Sequence, residues 1–132
     1  MWSNSTNYTI SVLEDPLTDS HIIDEIVNDY DEARMYYIWR AAKHQNLSYK
    51  SALMLIERDN YIVRQALASN PNISLDLLER LCNDSSYIVR SAAVSNPNAT
   101  ETMRRKFLMA TRNMTLEQLA QSQDPAFTLQ LN

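Results

Sequence analysis

The sequence predicts an all-α fold of stacked helix pairs, an α-solenoid, and three observations carry that expectation. The phrase YIVRQALASNPNIS beginning at Tyr61 returns as YIVRSAAVSNPNAT beginning at Tyr87, and a fixed period of roughly 20–50 residues marks architectures built by stacking one unit on the next. Apolar residues within each copy recur at helical spacing. Finally, the 132 residues include no glycine, although average usage is about 7%. This excludes Gly-rich phosphate loops and most two-residue hairpins, which need a residue at positive φ. Turns must instead come from Asn, Asp, Ser and the four prolines, which an all-helical chain tolerates best.

Setting Tyr61 level with Tyr87 matches Ile62 with Ile88, Val63 with Val89, Arg64 with Arg90 and Ala66 with Ala92. It also matches Asn70-Pro71-Asn72 with Asn96-Pro97-Asn98, and Ser74 with Thr100. A degraded copy, YIWRAAKHQNLS from Tyr37, keeps Ile38, Trp39, Arg40 and Ala42 in these columns if its loop is two residues shorter. The first helix of a unit is expected over Tyr61–Ser69, with Ile62, Val63, Ala66 and Leu67 on one face. It should stop at Asn-Pro-Asn, because a residue before proline is pushed out of the α region and Asn tolerates the left-handed one. Ser74 is expected to cap the second helix, its hydroxyl accepting an orphan backbone N–H. Leu75, Leu78, Leu81 and Cys82 would form its inner face, as Tyr49, Ala52, Leu55 and Ile56 would one unit earlier, and Asn83 and Asp84 would end it. One such pair cannot bury its own apolar face, so neighbours must stack.

The expected organisation is an acidic N-terminal extension over 1–20, then a single repeat domain over 21–132 with units of about 21–47, 48–73, 74–99 and 100–124. HIIDEIVND, with Ile22, Ile23, Ile26 and Val27 on one face, reads as a divergent first helix open to continuation through Asp31–Met35. Near the other end, Thr115 and Gln118 form a capping box for a last helix to about Ser122, which Asp124-Pro125 stops.

Charge is unevenly spread. Residues 1–33 hold eight acids and no Lys or Arg; residues 34–132 hold eight acids and all twelve cations, for a net charge of −4. Cys82 is the only cysteine, so no internal disulfide or Cys-rich metal site is expected. No apolar run approaches the ~18 residues of a membrane span, and the first residues lack the basic flank and apolar block of a signal peptide. A reducing cytoplasm is the expected location. Seven Asn-x-Ser/Thr triplets are present: Asn4, Asn7, Asn46, Asn72, Asn83, Asn98 and Asn113. Asn46, Asn72 and Asn98 each stand two residues before Ser48, Ser74 and Thr100, and are read as helix-boundary residues rather than glycan acceptors.

The combination Val-Arg-x-x-Ala-x-x-Asn-Pro-Asn, then Ser or Thr, a Leu-rich helix, Asp and Val-Arg again, resembles the leucine-rich repeat variant. That family lies among the HEAT-like and armadillo-like helical solenoids. The resemblance covers about residues 37–112 and is best in the two units from Tyr61. It implies a right-handed superhelix with divergent caps, used as a binding scaffold with no reaction attached. Some members hold an iron–sulfur cluster on a separate set of cysteines. Cys82 alone cannot, so no cofactor is expected.

Several features are candidates for function. The column Arg40, Arg64, Arg90 reads either as a ladder facing an acidic ligand or as structural, each Arg held by the Asp or carbonyl groups just before it. Asn70, Pro71, Asn96 and Pro97 are read as structural. The segment MRRKFLMATRN supplies Arg104, Arg105, Lys106 and Arg112, either a contact patch for a partner or a solvated helix face. Arg104 stands where the repeat places Leu78 and Ala52, so the inward face is expected to slip to Met103, Phe107 and Leu108. The aromatics Tyr30, Tyr36, Tyr37, Trp39 and Tyr49 read as packing or as interface anchors, with Tyr37 and Trp39 the candidates. His21 and His44 are isolated, and no HExxH, Walker or nucleophile-elbow motif is present. The expectation is therefore a protein without catalytic, metal or cofactor site that binds another protein as an adaptor or inhibitor. The alternative is a nucleic-acid-backbone binder using the basic 34–112 region.

Overall fold

In a computed structural model, the described residues are 6–29 and 31–113, and among them are eight α-helices and no strand. The helices are α1 (Thr6–Glu14), α2 (Ser20–Asn28), α3 (Met35–Ala42), α4 (Tyr49–Ile56), α5 (Tyr61–Ser69), α6 (Leu75–Cys82), α7 (Tyr87–Val94) and α8 (Glu101–Asn113). A 3₁₀ turn over Glu32–Arg34 leads into α3, so α2 does not continue through Asp31–Met35. The acidic extension expected over 1–20 contains α1, whose Leu13 belongs to the core. Tyr30, the Thr115–Gln118 capping box, the last helix to Ser122 and the Asp124-Pro125 stop lie outside the described residues.

Local chemistry sets the helix ends. The Asn60 side chain accepts the N–H groups of Ile62 (3.0 Å) and Val63 (3.2 Å). Ser48 accepts from Ser51 at 3.0 Å, and Thr100 from Met103 at 3.2 Å. Ser74 departs from the expected cap: its hydroxyl donates instead to the Asp76 carboxylate, 2.6 Å away. Asp76 itself sits in the first turn of α6, where the helix dipole favours an anion. Asn70 is extended, with φ −74° and ψ 115°, as a residue before proline must be. No described residue has positive φ, so the left-handed geometry expected of the Asn-Pro-Asn turn is not what selects asparagine there.

Its side chain is. Asn70 Nδ2 donates to the carbonyl oxygens of Ala42 (2.9 Å) and His44 (3.0 Å), while its Oδ1 accepts the N–H of Asn72 (2.9 Å). Asn96 repeats this one unit on, donating to Ala68 (2.8 Å) and Asn70 (3.0 Å) and accepting from Asn98 (2.9 Å). One unit earlier His44 fills the same position. The N–H of Asn46 donates to its Nδ1 (3.0 Å), so the proton is on Nε2, which donates to the Asp15 carbonyl (2.8 Å). Asp15 begins the series, its Oδ1 accepting the N–H of Leu17 (2.9 Å). Asp15, His44, Asn70 and Asn96 are thus rungs of one ladder, each later rung tying its turn to the backbone of the turn before. The Asn46 amide is spent on the Pro16 and Thr18 carbonyls, and those of Asn72 and Asn98 on Gln45 and Pro71. This adds a second reason for the locked Asn-x-Ser/Thr triplets.

The ladder aligns four helix pairs, α1–α2, α3–α4, α5–α6 and α7–α8. The first helices meet in sequence, α3 packing on α1 and on α5, and α5 on α7; α2 packs on α4 and α6 on α8. Level positions share burial. Leu13, Ala42 and Ala68 are buried at one column of the first helices, and Ile26, Leu55 and Leu81 at one column of the second. The inward stripe differs by a residue from expectation: Ile62, Tyr49 and Leu75 are exposed, whereas Ser51 and Leu77 are buried. Leu77, Leu78, Leu81 and Cys82 form as good a helical stripe as the one anticipated, so spacing could not choose between them. Contact with the neighbouring pair does.

Removing an asparagine rung takes a bond from two carbonyls, one of which keeps a backbone donor, and leaves an N–H without its side-chain partner. Asn96→Ala should lower the free energy of unfolding by about 2–4 kcal/mol in urea titrations, whereas His44→Asn, which installs the residue used at the next two rungs, should stay within about 1 kcal/mol of the parent.

Candidate functional site: the exposed edge of the last described helix

The arginine column resolves into different roles. Arg64 donates from Nε (2.7 Å) and Nη2 (3.2 Å) to the two oxygens of Asp84, and from Nη1 to the Arg58 carbonyl (2.9 Å). Both side chains of the pair are only 10% exposed. This bidentate contact ties α5 to the turn before α7, where Asp84 also accepts the N–H of Ser86 (2.9 Å). The carboxylate comes from the following unit, while the carbonyl comes from the preceding turn as the structural reading expects. Arg90 repeats the carbonyl bond, Nη1 to Asp84 at 2.8 Å, and its guanidinium lies 5.7 Å from the Tyr87 ring centre. Its Nη2 is buried with no hydrogen-bond partner among the described residues. The residue level with Asp84 in the next pair is Ala110, which has no carboxylate to offer.

Arg40 is not their counterpart. With Asn70 and His44 level, the buried Ile38 stands opposite Arg64. Arg40 instead reaches Glu14 at 3.8 Å across partly exposed surface. The YIWR phrase matches by spelling in a register the backbone does not adopt, because the ladder bonds reproduce the same turn length in both units.

On α3, Tyr37 and Trp39 are half-buried against the core. Arg34 lies 5.4 Å from the Tyr37 ring centre, and the Lys43 ammonium lies 4.4 Å from that of Trp39. Exposed Tyr36 joins them, 5.8 Å from Tyr37 and 6.2 Å from Trp39.

Helix α8 presents a different surface. Met103 is buried and Phe107 half-buried, its ring 5.7 Å from that of Tyr87. Leu108, expected to face inward, is 59% exposed, and Met109 is 61% exposed. Arg104, Arg105, Lys106 and Arg112 are all exposed around this apolar pair. Arg105 pairs with Glu101 one turn back at 2.8 Å, while Arg104, Lys106 and Arg112 have no ion pair among the described residues. The columns explain this edge. Ile23, Ala52 and Leu78 are buried at the position Arg104 takes, and Val27, Ile56 and Cys82 at that of Leu108. Thus the flank that is covered in three pairs is open in the fourth, with a cation at one of these positions and an uncovered leucine at the other. The exposure of Met109 had no sequence signal beyond its level partners Glu57 and Asn83, both polar.

The cavities are poor candidates for chemistry. One, of about 370 Å³, is walled by Arg58, Arg64 and Arg80 against Glu57, Asp59 and Asp84. The signs balance, and Arg80 is already paired with Glu57 at 2.9 Å. A second of about 310 Å³ runs along the turns beside Lys43 and His44. Cys82 is buried, and desolvation first, then the Glu79 charge, pushes its thiol up, away from a nucleophilic thiolate. Among the described residues no cluster of His, Cys, Asp and Glu could hold a metal ion, and no helix is long and apolar enough to cross a membrane. No family model, curated protein or solved structure matches this chain.

Tyr49 on α4 donates to the Asp76 carboxylate at 2.7 Å. The Ser74 bond first and the Tyr49 bond second hold Asp76 below the usual carboxylate range, and the same contact raises the Tyr49 phenol. Tyr49→Phe should move the Asp76 titration upward in side-chain NMR, while the remaining Ser74 bond still holds it below the usual carboxylate range. Breaking the buried pair has a larger consequence: Arg64→Ala should cost about 3–5 kcal/mol in chemical denaturation because Asp84 is left buried and uncompensated. Arg40→Ala, losing a looser and partly solvated contact, should cost under about 1 kcal/mol.

Proposed function

We propose that the chain is a short right-handed α-solenoid of stacked helix pairs that acts as a non-enzymatic protein-binding adaptor or inhibitor. The observation that carries this reading is the α8 edge, where Leu108 and Met109 lie exposed among Arg104, Arg105, Lys106 and Arg112. An apolar pair supplies contact energy at roughly 25 cal/mol per Å² buried, and the surrounding cations select an acidic counterpart and speed the encounter. Tyr37 and Trp39 are weaker anchors, since both are half-buried and lie under their own cations. A second reading, contact with a nucleic-acid backbone, is favoured by the cations Arg104, Lys106 and Arg112, which have no described ion-pair partner. Phosphate binding would weaken steeply with salt as released counterions are restored, whereas docking that also buries Leu108 and Met109 would weaken less steeply.

The test compares parent and Arg104→Glu/Arg105→Glu/Lys106→Glu proteins as bait in extracts of the native cell, with captured proteins read by mass spectrometry and helix content checked by circular dichroism. Partners held by the parent should drop by roughly tenfold or more with the variant, as expected for a loss of about 1.4 kcal/mol or greater. Retention of every partner would remove α8 as the docking edge.

A further inference from the structure

The sequence divides into an acidic start and a basic remainder: residues 1–33 carry eight acids and no Lys or Arg. Within one molecule these charges do not meet at α8. Helix α1 packs on α3, and α2 on α3 and α4, while α8 packs on α6 and α7. Among the described residues no ion pair joins α8 to α1 or α2; Arg40 and Arg34 take up Glu14 and Asp29 instead.

The repeat register places the two ends as opposite flanks of the same kind of contact. In α6, Arg80 reaches back to Glu57 of the preceding pair at 2.9 Å. Level with Arg80 in the first pair stands Glu25, exposed and with no ion pair among the described residues, and level with Ser48, whose hydroxyl donates back to Asp24, stands exposed Asp19. On the opposite flank, Asp24 reaches forward to Ser48 and Ser51 of the next pair, at 2.6 and 2.5 Å. Level with Asp24 in the last described pair stands Arg105, and level with Glu57 stands Met109. The backward flank of the first pair is therefore acidic where the forward flank of the last is cationic and apolar.

We propose that the protein associates head to tail with a second copy of itself, the α8 flank (Arg104, Arg105, Leu108, Met109, Arg112) seating the acidic α1–α2 flank (Asp19, Glu25) of its neighbour. The contact continues between molecules the forward-to-backward pairing seen within one. It is heterologous, since it uses two different surfaces, so each added copy presents a fresh one and assembly proceeds to open chains or a ring. This inference rests on the register of the pairs and not on the protein-binding role, which a strictly monomeric scaffold could equally fill.

Sedimentation velocity of the full chain over a concentration series tests it. At about 0.02 M salt, where screening is weak, the average mass should rise with concentration, and at about 0.5 M it should fall towards the monomer. A charge exchange separates this contact from non-specific association. Arg104→Glu/Arg105→Glu/Arg112→Glu puts acids on both contact flanks, and Asp19→Lys/Glu25→Lys puts cations at the contact positions of both, so each alone should sediment as monomer. Mixed, they should recover the salt-sensitive association. A parent that stays monomeric at low salt would overturn the proposal. So would separate variants that associate as the parent does, or a mixture of two helical, monomeric variants that fails to associate.

Discussion

A buried amide must be hydrogen-bonded on both ends, and this requirement at Asn70 and Asn96 organises the chain. Each side chain lies in a turn, yet its donors are satisfied only by carbonyls of the preceding turn. A local feature thereby becomes an instruction about the neighbour's position. Apolar burial holds the helices together but is non-directional, so it fixes their level less sharply than a hydrogen bond does. The polar rung does fix it, since an unmatched amide in the interior forfeits its bonds outright. His44 meets the same requirement with a different group, presenting one acceptor and one donor from the neutral ring.

The ladder also makes sense of the prolines. Pro71 and Pro97 push the residues before them into extended backbone, and at Asn70 and Asn96 that residue is the rung. Arg64 and Asp84 add a second, more expensive bond between successive units. Its non-recurrence beyond Arg90, where Ala110 replaces the acid, coincides with the change from Leu78 to Arg104 on the outer flank of the second helices. Both changes mark the same place: on the fourth pair this flank carries a cation where the first three bury an apolar residue, and its Leu108 is left uncovered.

The repeat itself was legible because its rungs, caps and pre-proline residues act within a few positions of one another, and Tyr61–Ser69 is helical to the residue anticipated. Legibility failed wherever two registers were both chemically sensible. YIWR invited an alignment that made Arg40 a column member, and the backbone chose another in which the buried Ile38 takes that place. Ile62 and Leu75 are exposed despite being apolar at helical spacing, while the other anticipated members of their stripes, Val63, Ala66 and Leu67 and Leu78, Leu81 and Cys82, are buried. The α1 segment, read as an acidic extension, hides its membership in the core because Thr9 and Leu13 stand where later units place Arg64 or alanine.

By itself, then, the sequence determined that helices form, roughly where they break, and that they come in recurring pairs, since capping, proline geometry and periodicity are short-range effects. It also placed four cations together near the end of the chain. Only the tertiary structure decided which apolar stripe faces inward, that the carboxylate partner of Arg64 arrives from the following unit, and that Leu108 and Met109 stand among those cations unburied. These depend on the placement of a neighbouring helix, and the free energy of covering a surface belongs to the pair in contact rather than to either segment alone.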